Sequence, residues 1–130
     1  MTSKHWCSLP ILGLAVLLIA GCGAILVGAA AGAGAVAYVR GELKATEEAT
    51  LDDVVRATET ALEDDLKFPI HSKTTDAISA KFTSETAAGK DITINLKKTS
   101  ATLTQIRIRV DVFGDEELSR LILDKIKKRL

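Results

Sequence analysis

Apolar and polar residues alternate with a period of two in the second half of the chain. Over residues 92–97 and 106–112, every second residue is Ile, Leu or Val, and the residues between them are polar. Such alternation predicts strands with one buried face. Weaker alternation predicts a strand around residues 78–83 and an edge strand around residues 67–71, where Pro69 lacks a backbone donor. Strands this close in sequence favour an antiparallel meander of three or four strands.

Apolar residues at helical spacing flank these predicted strands. Residues 51–65 form one such segment behind Thr50, which together with Asp53 resembles a capping box. A second helix is predicted to begin after Asp115, a favourable N-cap residue. Residues 50–130 therefore predict a two-layer α+β fold: helix, three- or four-stranded antiparallel meander, helix, with both helices on one sheet face. The predicted apolar stripe of the second helix is Leu118, Leu121, Ile122 and Ile126.

A basic residue, an apolar run and a small pair before a cysteine follow one another near the amino terminus. Lys4 precedes the apolar residues 9–19, which have the length and order of a secretory signal. Ala20 and Gly21 then stand directly before Cys22, and this arrangement resembles the processing site of bacterial lipoproteins. The resemblance implies cleavage between Gly21 and Cys22, with a diacylglyceryl group and an N-acyl chain such as palmitate on Cys22, which anchor a protein firmly. The alternative is an uncleaved membrane helix that contains a cysteine.

Residues 23–39 are apolar throughout and rich in glycine and alanine. Ala24, Gly28 and Gly32 lie four residues apart, on one helical face that a second helix could approach closely. The alternative is a compliant apolar tether, because glycine is costly in a helix interior. Residues 41–49 are predicted to be a polar linker. The predicted organisation is a signal peptide, a lipidated anchor with its linker, and an exported α+β domain, over residues 1–21, 22–49 and 50–130.

Charge is balanced overall but unevenly distributed. The chain has 17 basic and 17 acidic residues and a formal net charge of zero. Loss of Lys4 with the signal leaves about minus one, so nothing indicates nucleic acid as a partner. Residues 42–65 hold nine acids and two bases, whereas residues 67–130 hold thirteen bases and eight acids. We expect the two segments to attract each other in the fold.

The predicted exported domain offers few residues for catalysis. Cys7 leaves with the signal and Cys22 carries lipid, so the domain has no disulfide and no thiolate metal site. His71 is its only histidine, so nucleophilic triads and histidine metal sites lack parts. The adjacent carboxylates of Asp64 and Asp65 diverge by about 100° on a helix. We therefore expect no enzyme activity, no metal and no cofactor, and we expect His71 on the surface of a strand.

The polar side of the predicted sheet is the main candidate for binding. Four of its side chains are cationic, and the remaining ones carry hydroxyl or amide groups. Such a surface suits an acidic protein, peptidoglycan or a lipid headgroup, and the alternative is an ordinary solvated sheet face. The basic residues 125–129 complement a helix dipole and also suit anionic lipid. The predicted polar side consists of Lys81, Thr83, Thr93, Asn95, Lys97, Gln105, Arg107 and Arg109.

Several segments together resemble a known family. They are the Ile-Ala-Gly-Cys site, the Gly/Ala-rich stretch that ends in residues 37–44, the acidic first helix, and residues 113–119, which read Phe-Gly-Asp-Glu-Glu-Leu-Ser. The chain resembles a family of small bacterial lipoproteins that is catalogued only as a domain of unknown function. The resemblance covers nearly the whole mature chain. It implies an architecture and a location, and it implies no activity and no residue roles.

Two functional hypotheses of different class follow. The first is an envelope lipoprotein whose small domain binds or scaffolds another envelope component without catalysis. The alternative is a self-associating structural membrane protein that uses the Gly/Ala-rich residues 24–36. Gly23 follows the cysteine, where in many Gram-negative bacteria an Asp would resemble a signal for retention in the inner membrane. In a Gram-negative host this residue therefore favours the periplasmic face of the outer membrane.

Overall fold

A computed structural model describes residues 34–130, which form six strands and two helices. The strands form one sheet in the order β1-β2-β6-β5-β4-β3, and all neighbouring strands are antiparallel. Within the described residues, no helix is both long enough and apolar enough to span a bilayer. The elements are β1 (Val36–Val39), β2 (Glu42–Glu47), α1 (Leu51–Thr60, continued by a π-helical turn at Ala61–Asp65), β3 (Ile70–Thr75), β4 (Ser79–Glu85), β5 (Asp91–Lys98), β6 (Thr104–Val110) and α2 (Glu116–Lys127).

The predicted α+β class, with an antiparallel sheet and two helices, is confirmed, but the sheet is larger than the sequence indicated. Strands β3 to β6 are neighbours in chain order and form a four-stranded meander. A hairpin of β1 and β2 adds two strands beside β6, so the sheet has six strands and not three or four. Since α1 connects β2 to β3, the order is hairpin, helix, meander, helix.

The hairpin lies in residues for which the sequence predicted an anchor and a polar linker. All six residues of β2 pair with β6, from Glu42 opposite Arg109 to Glu47 opposite Thr104. Leu43 is buried against the core, so residues 41–49 are not a linker and the folded unit begins before Thr50. The prediction was wrong because Glu47 occupies the third inward position of β2, where a carboxylate interrupts the apolar alternation.

A two-residue turn closes the hairpin. Arg40 and Gly41 both have positive φ, 52° and 79°, as a type I′ turn requires. The turn packs against the loop that follows β6: a Cβ on Gly114 would lie 2.3 Å from the Gly41 Cα and 2.4 Å from the Tyr38 Oη. The backbone at Gly114 therefore lies so close to the turn that only glycine fits at this position.

Both helices cover the same face of the sheet. Helix α1 lies on β4 and β5, α2 lies on β2 and β6, and the two helices touch each other. The largest fully buried side chains include Phe82, Ile94, Ile108 and Ile122. They form one apolar layer between the sheet and the helices. Residues 34–130 leave the opposite face of the sheet uncovered.

The helix boundaries follow the predicted caps. The Thr50 Oγ1 accepts a hydrogen bond from the Asp53 backbone N–H at 3.2 Å, and the Asp115 Oδ1 accepts one from the Leu118 N–H at 3.0 Å. The predicted stripe of α2 is wrong at Leu121, which is 43% exposed. The helix is rotated so that its buried residues are Ser119, Ile122, Leu123 and Ile126.

The predicted last strand also ends earlier than its alternation indicates. Strand β6 stops at Val110, because Asp111 has a φ of +62° and turns the chain away from the sheet. Val112 is therefore 76% exposed. A hydrogen bond from the Val112 N–H to the Asp111 Oδ1, at 2.7 Å, holds this turn.

Ion pairs connect the acidic residues 42–65 to the basic residues 67–130, in agreement with the attraction expected from their charges. Each pair joins residues of two different helices or strands, or of one such element and the chain segment that follows another. The carboxylates of Glu42, Glu47 and Asp65 are only 12%, 11% and 19% exposed, so these pairs lie between surface pairs, worth about 0–1 kcal/mol each, and buried ones. The pairs are Glu42 with Arg107, Glu47 with Lys127, Glu59 with Lys73, and Asp65 with Arg129.

The contact between the two glycines predicts a large effect of a single methyl group. Gly114→Ala should lower the free energy of unfolding by about 2 kcal/mol or more, because the Cβ meets backbone and also disfavours positive φ. Gly89→Ala is the control: its φ is +79°, but its nearest neighbour is the Glu85 Oε1 at 3.5 Å. Chemical denaturation of both variants checks this. Equal losses would contradict a specific contact between residues 41 and 114.

The cap of α2 predicts part of the acid sensitivity of the fold. A hydrogen bond from Lys90, at 2.8 Å, and one from the Leu118 backbone hold the pKa of Asp115 below its ordinary value of 3.8. A carboxyl with a depressed pKa contributes stability above its unfolded-state pKa, and this is lost as the pH falls through the folded-state value. Asp115→Asn should therefore flatten the fall in stability below about pH 4. Asp52→Asn, which removes an exposed carboxylate of α1, should leave the fall in stability below about pH 4 unchanged.

Candidate binding surface on the open sheet face

The side of the sheet away from the helices is polar at every central position. Strands β2 and β6 each place three side chains on this side, and β4 and β5 each place four, as the alternation of buried and exposed residues shows. Five of the fourteen are cationic, three are acidic and six carry hydroxyl or amide groups. We call this set the open face: Glu42, Lys44, Thr46, Ser79, Lys81, Thr83, Glu85, Asp91, Thr93, Asn95, Lys97, Gln105, Arg107 and Arg109.

The strand register arranges the open face in three full rows, and Glu85 opposite Asp91 forms an acidic pair beyond them. The middle row places Asn95 between Lys81 and Arg107, with Lys44 directly opposite Arg107 on the other side. This row holds three cations and no acid. Directly opposed residues lie about 5 Å apart at their Cβ atoms, and like charges in that position destabilise a sheet. The outer rows are Ser79, Lys97, Gln105 and Thr46, and Thr83, Thr93, Arg109 and Glu42.

One carboxylate balances the half of the open face that lies on β2 and β6. The side chain of Glu42 is only 12% exposed, and its Oε1 accepts from the Arg107 Nε at 2.8 Å and lies 2.7 Å from the Arg107 Nη2. The Lys44 Nζ lies 3.9 Å from the same oxygen, and the Arg109 Nη2 lies 4.0 Å from Oε2. Three cations therefore share a single acid.

The other half of the open face has cations without such a partner. Within residues 34–130, no carboxylate oxygen lies within 4 Å of the Lys81 or Lys97 ammonium group. The two lysines are diagonal neighbours on β4 and β5. Both line an open groove of about 540 Å³, together with Asn95, Arg107, the 62% exposed Ile78 and Asp76, whose Oδ2 accepts a hydrogen bond from the Ser79 Oγ at 3.4 Å. Two ammonium groups here are free to receive an anion.

A second groove of about 540 Å³ lies between α1 and the last residues of the chain. Its cations are already paired. A hydrogen bond from Thr50, and then one from Arg56, lower the pKa of Asp53, and a hydrogen bond from Arg129 lowers the pKa of Asp65. The charges of this second groove are therefore balanced locally, unlike those of Lys81 and Lys97.

The structure places all four predicted cations, Lys81, Lys97, Arg107 and Arg109, on the open face. The sequence missed Glu42 and Lys44, because β2 was assigned to a linker. The alternation of Leu43 and Ala45 with polar residues was the only signal for β2, and it is short. The predicted cleavage site Gly21–Cys22, the lipidation site Cys22 and the small residues Ala24, Gly28 and Gly32 lie outside the described residues.

The remaining chemistry-bearing residues do not assemble into another site. His71 lies on the exposed strand β3, as expected, with its Nε2 3.3 Å from the Glu85 Oε2. In the described part of the chain, no three His, Cys, Asp or Glu side chains are grouped so that they could hold a metal ion. The open face thus presents hydrogen-bond donors and positive charge, which can bind an anion.

The fold and the open face define a class of protein: a small two-layer α+β module in which residues 34–130 leave one cationic sheet surface uncovered. A family model described as a protein of unknown function, DUF3568, matches residues 7–129, and the chain belongs to this family. The family resemblance inferred from the sequence is thereby confirmed, while lipidation, which the description does not mention, stays a prediction. A comparison with curated proteins found no match.

The shared acid of the open face gives a testable prediction. Glu42→Gln should lower the free energy of unfolding by roughly 1–2 kcal/mol, between the values for exposed and buried ion pairs, because three cations then repel one another. High salt should shrink the loss by screening that repulsion. Glu85→Gln, which removes only the exposed contact to His71, should change stability little. Urea denaturation at two salt concentrations measures both, and a salt-independent loss would contradict the proposed role of Glu42.

Proposed function

We propose that this protein is a membrane-anchored bacterial envelope lipoprotein, and that its α+β unit is a non-catalytic binding module for an anionic ligand. The open face is the binding surface. The observation that supports this assignment is its composition: fourteen polar side chains on four adjacent strands, with five cations and three acids. Each of these side chains keeps a donor or acceptor directed away from the core.

The distribution of charge favours binding over simple solvation. A sheet face that only meets water gains stability when opposite charges face each other across strands. Here Lys44 faces Arg107 and shares Glu42 with it, whereas Lys81 lies diagonal to Lys97 without a carboxylate of residues 34–130 within 4 Å. The repulsion between the two lysines costs stability, and an anionic ligand would offset it. Sequences that break a local stability rule in this way do so most often at functional sites.

The sequence of the amino terminus supports the anchoring. An apolar run followed by Ala20-Gly21-Cys22 has the order of a lipoprotein signal. Diacylglyceryl and N-acyl chains together hold a protein at a bilayer far more firmly than one chain does. Gly23 after the cysteine favours the periplasmic face of the outer membrane in a Gram-negative host. A binding or scaffolding role at that surface needs no nucleophile, and His71 is the only histidine of residues 23–130.

Mass spectrometry of the protein purified from bacterial membranes tests the anchoring. We expect an amino terminus at Cys22 that carries a diacylglyceryl group and an acyl chain. Cys22→Ser should abolish lipid attachment and leave the uncleaved precursor. Cys7→Ser, the matched control within the predicted signal, should be cleaved and acylated normally. An intact Met1 or an unmodified Cys22 in the native protein would refute the proposal.

A further inference from the structure

The two layers of the fold carry opposite charge. The open face has five cations and three acids. On the opposite side of the sheet, the segment formed by α1 and its π-helical turn has one base, Arg56, and six acids. A protein with this charge distribution orients in the field of a negatively charged surface, with its open face toward that surface. The six acids are Asp52, Asp53, Glu59, Glu63, Asp64 and Asp65.

Two exposed aliphatic side chains lie at the periphery of the open face. Ile78 lies in the turn between β3 and β4, lines the groove and is 62% exposed. Val39 lies on β1, at the other edge, and is 50% exposed. Since Val39 pairs with Glu42, it shares the side of the sheet to which Glu42 belongs. The surface therefore has a cationic centre with an aliphatic side chain beside the groove and another on β1.

This arrangement of charged and aliphatic side chains is the reverse of the one found in protein-protein interfaces. Such interfaces have an apolar centre, in which aromatic and aliphatic anchors provide most of the affinity, and a polar rim. A bilayer surface presents a layer of anionic phosphates with hydrocarbon beneath it. Cations bind the phosphates, and apolar side chains beside them reach the boundary of the acyl chains. The open face matches this second pattern.

We propose that the open face docks on the anionic headgroups of a phospholipid bilayer, with Lys81 and Lys97 on lipid phosphates and Ile78 at the acyl boundary. The inference rests on the proposed function, since it identifies the anionic ligand of the same surface. Each Lys or Arg near an anionic surface strengthens binding roughly fivefold. The lipid chains would anchor the protein, and the open face would set its orientation.

A fluorescence experiment on the acylated mature protein tests the docking. The one tryptophan of the chain, Trp6, lies in the predicted signal, so the mature protein with Ile78→Trp carries a single reporter in the groove. The protein is reconstituted into vesicles of phosphatidylcholine, with and without phosphatidylglycerol. We expect blue-shifted emission and protection from an aqueous quencher only in anionic vesicles, and loss of both at high salt. Leu121→Trp, on the helix layer, should report no dependence on lipid charge.

Charge-reversal variants identify the surface that makes the contact. Lys81→Glu with Lys97→Glu should abolish the blue shift of the residue-78 reporter. These substitutions should leave the midpoint of thermal unfolding nearly unchanged, because both side chains are exposed and neither forms an ion pair within residues 34–130. Lys125→Glu with Lys128→Glu makes the same charge change on α2 and should leave the blue shift intact. Loss of the shift in the α2 variant alone would overturn the proposal.

A soluble polyanion separates failure of this inference from failure of the proposed function. Poly-glutamate is added to the same single-reporter chain in neutral vesicles, and binding is measured by anisotropy. Binding that depends on Lys81 and Lys97, without any response to phosphatidylglycerol, would overturn bilayer docking and retain an anion-binding open face. No response to either anion would refute both. An unacylated Cys22 with intact docking would refute the anchoring alone.

Discussion

Coverage of a single sheet face by both helices is the constraint on which the rest of the structure depends. Helices α1 and α2 touch each other above the sheet, so one side of every central strand must be apolar and the other is left to water or a ligand. Phe82, Ile94 and Ile108 fill the covered side and are fully buried. Residues 23–130 contain no cysteine, so this one layer replaces the disulfides that many small exported domains use.

The pairing of β2 with β6 determines how wide that covered side can be. It joins residues 42–47 to residues 104–109, which gives α2 two strands to lie on instead of one. The close contact of Gly41 with Gly114 fixes the same end of this pair. The pairing also brings Glu42 beside Arg107, so one interaction both completes the core layer and arranges the charges of the open face.

The sequence predicts elements well where the local pattern and the tertiary environment agree. Strands β5 and β6 alternate because one face is buried, and Thr50 and Asp115 cap helices because their side chains bond locally. The sequence does not predict an element correctly where tertiary contacts determine its conformation or orientation. Strand β1 follows a Gly/Ala-rich run, and β2 places Glu47 inward beside Lys127, so neither shows a clear period. Leu121 and Leu123 are equally apolar, and only the rotation of α2 on the sheet selects Leu123 for burial.

The candidate site was predictable to the same degree. Parity along each strand is a local property, so it places Lys81, Lys97, Arg107 and Arg109 on one side of a sheet. Register between strands is not local, and it decides that Lys44 stands opposite Arg107 and that Glu42 reaches three cations. A sequence therefore reveals that a cationic face exists before it reveals which of its cations are neutralised.

The ion pairs of the fold explain why particular lysines remain available on this face. Residues 42–65 supply nine acids to a chain whose remaining acids are outnumbered by bases, and four of the nine pair with bases from residues 67–130. Three of these pairs lie on the helix side or at its end, and only that of Glu42 lies on the open face. Because β6 lies between β2 and β5, and β4 lies one strand further away, Glu42 does not reach Lys81 or Lys97. The strand order itself therefore leaves two adjacent positive charges for an external anion.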